Sequence, residues 1–288
     1  MDAPRRPAVD PLASLPGLGV RRYVCTAGPR DRPFDEVHGA ITLALFQAGT
    51  FTYRCRDRAH TMVPGSVLLG APGEVFCCSH EHSRGDECLS LAFAPELLAP
   101  ILADQAAPGA IWAASALPPR PRIAALLRAV ARTCSEGQVL DELALELAAA
   151  VLGELAGRGP GAADERPPQP RDRARAAAAA LHVDAHPGER LTLADLAAHV
   201  DLSPYHFLRI FRAVVGVPPN EYVIQARVRA AAARLLDDDA PVTEVALEVG
   251  FGDLSHFTRT FARAIGATPG RYRAMARRGE LRRLGRGA

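Results

Sequence analysis

Two groups of residues in this chain are of types that do chemistry. The first is the run "CCSHEHSRGDEC", residues 77–88. On an extended strand Cys78, His80 and His82 alternate onto one face, and Cys88 returns after a short turn. Thiolate and imidazole at this spacing suit zinc or another thiophilic divalent metal, with His38 or His60 as substitute ligands. The same residues suit a redox switch, in which Cys78 and Cys88 are paired thiols tuned by the neighbouring histidines. A third reading is plain packing, with the cysteines as small core residues and the histidines as polar loop residues. Cys25, Cys55 and Cys134 read as core, and Trp112, the single tryptophan, as packing in a helical part.

The second group lies near the C-terminus and occurs twice. "LADLAAHVDLSPYHFLRIFRAVVGVPP" (193–219) is echoed by "VTEVALEVGFGDLSHFTRTFARAIGATP" (242–269). Leu196, Ala197, Val200 and Leu202 match Val245, Ala246, Val249 and Phe251. After a one-residue insertion, Phe207, Arg209, Phe211, Gly216 and Pro219 match Phe257, Arg259, Phe261, Gly266 and Pro269. Each copy reads as helix, tight turn, helix. In the first, Leu193, Leu196, Ala197 and Val200 form one face of a short helix; the turn passes Asp201, Ser203 caps and Pro204 takes the first helical position. In the second, Gly250 supplies the turn and Asp253 the cap.

Phe207, Ile210 and Phe211 point inward at i, i+3, i+4, as do Phe257 and Phe261. That leaves Tyr205, His206, Leu208, Arg209 and Arg212 outward on the first copy, and Leu254, Ser255, His256, Thr258, Arg259 and Arg263 on the second. A helix face of this kind suits a DNA major groove, where arginine bonds guanine edges through two donors and serine or threonine reads either partner. Between the copies, "NEYVIQARVRAAAARLLDDD" (220–239) reads as one unbroken helix. Such a strut sets two reading helices on successive major-groove faces about 34 Å apart.

The rest of the chain must position these groups. Its 288 residues suit two domains, and 48% hydrophobic with 23% charged residues suits packed globular structure. Residues 1–170 carry 16 arginines against 19 acidic residues, and residues 171–288 carry 18 against 13, so the basic excess sits with the repeat. Residues 20–93 read as short strands between Pro/Gly turns, a β-barrel or sandwich. "ITLALFQAGTFTYRCR" gives a hairpin signal around Ala48-Gly49.

Two helices follow, over 121–134 and 138–155. They read as a hairpin that closes the β core, with a stripe wide enough to supply a homodimer contact as well. Residues 1–19 are expected to be a flexible extension, 20–156 a sensor and dimerisation domain, 157–170 a linker, 171–273 the DNA-binding domain, and 274–288 a basic tail. No apolar run approaches the roughly 20 residues of a membrane span, and the proline-broken N-terminus lacks the apolar core of a secretory signal. A cytoplasmic chain without a membrane partner is expected, with its cysteines free rather than in structural disulfides.

At these motifs the chain resembles the AraC/XylS family of transcription regulators. The resemblance covers 171–273, including "LADLAAHVDLSPYHFLRIFR", "YVIQARVRAAAARLL" and "VALEVGFGDLSHFTRTFARAIGATPGRYR". It implies base contacts from Tyr205, Leu208 and Arg209 and from Leu254, Ser255, His256 and Arg259, with Arg212 and Arg263 placed for phosphate. Leu208 and Leu254 depart from the family's commoner polar residues.

The resemblance also implies an N-terminal cupin-like barrel, to which "VPGSVLLGAPGEVF" is similar. The expected fold class is therefore two domains: a mainly-β cupin-like barrel with a helical hairpin, then an all-α domain of two helix-turn-helix units joined by a linker helix. The expected function is a one-component, non-enzymatic regulator that binds promoter DNA, dimerises, senses an unidentified effector, and engages RNA polymerase if it activates. The alternatives are a cupin-type metal-dependent enzyme fused to a DNA-binding domain, for which most of the usual histidine ligands are missing, and an effector-free DNA-binding protein.

Overall fold

Strand alternation sorts the N-terminal half into layers. The computed structural model describes residues 6–81, 84–103, 114–136, 140–156, 168–237 and 239–281. One antiparallel sheet contains β1 (Ala8–Leu15), β2 (Leu18–Cys25), β4 (Ile41–Gly49), β7 (Val67–Gly70), β9 (Asp86–Phe93) and β10 (Ala116–Leu117), in the order β1-β2-β9-β4-β7-β10. The other contains β3 (Phe34–Val37), β5 (Phe51–Cys55), β6 (Arg58–Met62) and β8 (Val75–Ser79), in the order β3-β8-β5-β6.

The two faces of the larger sheet differ in residue size. Leu43 and Leu45 on β4 and Leu89, Leu91 and Phe93 on β9 pack outward into a core with helices. Thr42, Ala44, Ser90 and Ala92 alternate with them and point between the sheets. Small residues on that inner face leave a cavity of about 740 Å³.

Two expectations about this half are corrected. Residues 8–15 are not a free extension but form β1, paired along β2. Pro11 is tolerated because β1 is an edge strand with a register shift between Pro11 and Ala13. Nor do β4 and β5 form a hairpin. β4 pairs with β7 and β9, while β5 pairs with β6 and β8, so the chain changes sheet at Gly49-Thr50. β4 is apolar on both faces and needs a central position, which a two-strand ribbon does not supply. The tight hairpin is β5–β6, where Arg56 adopts φ 54°.

The helices run α1 (Pro95–Ala103), α2 (Pro121–Glu136), α3 (Leu140–Ala156), α4 (Pro170–Ala185), α5 (Leu193–His199), α6 (Pro204–Val215), α7 (Pro219–Asp237), α8 (Val242–Glu248), α9 (Leu254–Ile265) and α10 (Pro269–Arg277). α2 and α3 pack on each other and on the larger sheet's outer face. The far side of α2 packs on α7 and α9. One continuous core thus joins Leu91 of the sheet, Leu126 and Leu147 of the hairpin, and Val228, Phe257, Phe261 and Tyr272 beyond it. The wide apolar stripe, read as room for a second copy, is covered within the chain.

α10 continues to Arg277 and Leu281 is buried, so residues 274–281 belong to the fold rather than to a tail. The linker residues 157–167, the end 282–288 and Trp112 lie outside the described residues. Among the described residues no helix is long and apolar enough to cross a membrane.

Candidate nucleic-acid interface and sensor cavity

The two repeat copies share their turns and the caps of their second helices, while their first helices start differently: α8 opens at Pro241 without a side-chain cap. α5 opens on a capping box: Thr192 Oγ1 accepts from the Asp195 N–H at 3.2 Å, and the Asp195 carboxylate accepts from the Thr192 N–H at 2.9 Å. The turn closes through the Leu202 N–H donating to the Ala197 carbonyl at 3.0 Å. In the second copy the Phe251 N–H donates to the Ala246 carbonyl at 2.9 Å. The left-handed residue of each turn is Asp201, at φ 53°, and Gly250, at φ 86°.

The second helix of each unit starts on a side-chain cap. Ser203 Oγ accepts from the His206 N–H at 3.4 Å, and Asp253 Oδ1 accepts from the His256 N–H at 2.5 Å. Both end on left-handed glycines, Gly216 and Gly266. Phe207, Ile210 and Phe211 are buried under α6, and Phe257, Thr260 and Phe261 under α9. Leu193 departs from its expected place on the buried face of α5: at the helix start it is 38% exposed.

On α6, Tyr205 is 78% exposed, Arg209 and Arg212 are exposed, and His206 and Leu208 are half-buried. On α9, Leu254, Ser255, His256, Arg259 and Arg263 are exposed and Thr258 is half-buried. Arg263 also lines a cleft with residues of α2, α3 and α7, where Glu154 is paired with Arg120.

α7 holds the units in register. Arg227 donates to the Pro187 carbonyl at 3.0 Å and the Glu189 carbonyl at 2.8 Å, and its guanidinium lies over the Phe251 ring of the second turn. The buried Arg229 pairs with Asp184 on α4 at 2.6 Å and stacks over Tyr222, whose hydroxyl donates to the same carboxylate. The positions of a loop and two helices are thereby fixed to one strut.

The sensor half brings together a different set of residues from the one expected. Cys78, on β8, and Cys88, on β9, line the cavity from opposite sheets. Burial pushes both thiols well above the usual range, and the nearby Asp86 carboxylate adds to it. Neither is therefore a low-pKa redox thiol. His82 lies outside the described residues. His80 lines the same cavity and bonds Asp86 Oδ1 through Nε2 at 2.5 Å. Burial lowers its pKa, but Asp86 and Cys25 outweigh burial and raise it to about 9.

Among the described residues, the metal-ligating atoms that converge are those of Cys25, His80 and Asp86, all within 4.8 Å of one another. Cys25 was read as core; only the pairing of β2 with β9, which sets Cys25 opposite Asp86, reveals its place. All six cysteines are free thiols. His38 is buried, bonds the Tyr53 hydroxyl at 3.0 Å and stacks on Phe76. Burial, only partly opposed by Glu74, lowers its pKa to about 4.

A family model described as the AraC-like ligand binding domain matches residues 23–152, and one described as a helix-turn-helix domain matches residues 196–275. The chain belongs to the AraC family of transcription regulators. This AraC-family chain is 34% identical over 108 residues to Regulatory protein PocR of Salmonella typhimurium, covering 38% of this chain and 35% of PocR. It is 34% identical over 96 residues to the bifunctional transcriptional activator/DNA repair enzyme AdaA of Bacillus subtilis, 33% of this chain and 46% of AdaA. The match thus takes in less than half the length of either relative. Among solved structures it is similar to the DNA-binding domain of AdpA in complex with a target DNA, at 33% identity over 36% of this chain and 96% of that one, with a TM-score of 0.35.

Proposed function

We propose that this AraC-family chain is a one-component transcription regulator that reads promoter DNA with α6 and α9 and senses an effector in the cavity of its β half. The observation that carries the reading is the pair of exposed polar faces, each set on a capped helix over a buried aromatic pair and both tied to α7. Tyr205, Leu208 and Arg209 on the first, and Leu254, Ser255, His256 and Arg259 on the second, are the base-reading residues. His206 and Thr258 flank them, and Arg212 and Arg263 take phosphate. Leu208 and Leu254 offer only apolar contact, which suits a thymine methyl. Residues 171–273 supply the DNA-binding part and 20–156 the sensing part.

The sensing half reaches the reading half through packing. A ligand that shifts the inner face of the larger sheet also shifts its outer face, the α2–α3 hairpin, and α7 and α9 behind it. Regulation then requires only that the ligand favour one of two arrangements of that stack. The chain acts in the cytoplasm as a homodimer, without catalysis of its own, and meets RNA polymerase where it activates. The test is selection of binding sites from random duplex DNA by the full chain, followed by titration of the selected site. Arg259→Ala is expected to weaken binding by about 1–3 kcal/mol and to relax preference at one position. Unchanged affinity and preference in that variant contradict the placement of α9 in the groove.

A further inference from the structure

The convergence of Cys25, His80 and Asp86 follows from three strand ends. Cys25 is the last residue of β2 and Asp86 the first of β9, and the two are direct cross-strand partners. His80 follows the last residue of β8, and its Nε2 bonds Asp86 Oδ1 at 2.5 Å. Two left-handed glycines bring these ends close. A Cβ at Gly49 would lie 2.2 Å from the Gly85 carbonyl oxygen, and one at Gly85 would lie 2.8 Å from the Cys25 carbonyl oxygen. Further tethers are the Gly85 N–H, which donates to the Ala27 carbonyl at 2.8 Å, and the Ala27 N–H, which donates to Cys25 Sγ at 3.5 Å.

These contacts set a sulfur, an imidazole nitrogen and a carboxylate oxygen in one corner. Cys25 is 7% exposed, and the side chains of His80 and Asp86 are 6% and 8% exposed. Tetrahedral zinc, at about 2.3 Å from sulfur and 2.0 Å from nitrogen or oxygen, spaces its ligand atoms by about 3.5 Å. The ligand atoms all lie within 4.8 Å of one another; the 2.5 Å His80–Asp86 hydrogen bond must open by about 1 Å to admit the ion. A thiolate and a carboxylate also neutralise a doubly charged ion, which a buried site requires. All three residues line the cavity, so the fourth tetrahedral position opens onto it.

We propose that Cys25, His80 and Asp86 bind a thiophilic divalent cation, zinc by the chemistry of its donors, with its open position facing the sensor cavity. Hard cations are disfavoured by the sulfur and by the small number of oxygens. The site deepens the sensing half of the proposed function. Its test reads metal on the free protein, so it is scored separately from DNA binding.

The full chain, purified reduced and without an affinity tag and stripped with chelator, is titrated with Co²⁺ alone. About one cobalt per chain is expected, with the near-ultraviolet thiolate-to-cobalt charge-transfer band and the visible bands of tetrahedral cobalt, all removed by added Zn²⁺. Cys25→Ser should abolish the charge-transfer band, and His80→Gln and Asp86→Asn should weaken binding by about tenfold or more. Cys78→Ser and Cys88→Ser should leave the band in place. Absence of the band in the wild-type chain, its survival in Cys25→Ser, or its loss in Cys78→Ser instead overturns the proposal. Should Cys25→Ser fail to fold by circular dichroism, the wild-type spectrum and the other two ligand variants decide the same question. Duplex binding by the cobalt-loaded and by the stripped chain is measured in parallel: failure of both, with the cobalt site intact, tells against the regulator reading alone.

Discussion

The two helix-turn-helix units share a pattern of caps, turns and buried phenylalanines but differ in what surrounds them. Unit one, α5–α6, packs on α4 and forms a core of its own, into which, among the described residues, the sensor half contributes only Val63. Unit two, α8–α9, has no separate core: Phe251, Phe257 and Phe261 belong to the same cluster as the α2–α3 hairpin and the larger β-sheet. Copies of one motif thus have unequal coupling to the cavity. Unit two is joined to it through a continuous apolar stack, while unit one meets the sensor half at its rim, where Gly216 approaches Pro118 and α6 meets β6.

The largest expected effect tests that asymmetry. Phe207→Ala and Phe257→Ala should each cost about 3–5 kcal/mol through lost burial and a residual cavity. Hydrogen exchange should show the Phe257→Ala loss spreading into α2 and the larger sheet, whereas the Phe207→Ala loss stays within α4–α6. Equal spread from both variants would break the comparison.

Acid should separate the halves in another way. His38 and His60 lie in the sensor half with pKa values lowered to about 4 from 6.5, mainly by burial. Between these values the unfolded chain binds protons that the folded one excludes, so stability is present above pH 6.5 and falls as pH drops toward 4. Denaturant midpoints across that range should drop, and His38→Gln and His60→Gln should flatten the dependence. A sensor half whose stability rises on acidification would contradict the burial of neutral imidazoles.

A smaller effect separates the two turns. Gly250→Ala forces a side chain into φ 86° and within 3.0 Å of the Arg227 guanidinium and the Gly188 carbonyl, and should cost about 2 kcal/mol. At the matching position Asp201 already carries a side chain at φ 53°, and Asp201→Gly should change stability by no more than about 0.5 kcal/mol either way. Comparable effects at the two sites would mean that Arg227 does not set the glycine requirement.

What was legible in the sequence follows the range of the interaction that decides it. Caps, turns and inward phenylalanines of both units depend on neighbours three or four residues away, and Ser203, Asp253, Gly250 and Phe257 stand where the sequence places them. The two-sheet β class of the N-terminal half was legible from strand rhythm. Pairing was not: β4 reads as half a hairpin until its two apolar faces are given partners on both sides. The candidate metal group shows the same limit. His80 stands out in a run rich in cysteine and histidine, but its partners are set by the β2–β9 register, which joins residues far apart in the chain. An aspartate and an isolated cysteine carry no local signal of that meeting.

If α6 and α9 read one duplex side by side, hydroxyl-radical footprinting of the full chain on its selected site will show it. Two protected patches are expected on one face of the DNA, about one helical turn apart, with Arg209→Ala weakening one patch and Arg259→Ala the other. A single patch, or one that both variants weaken equally, would contradict it.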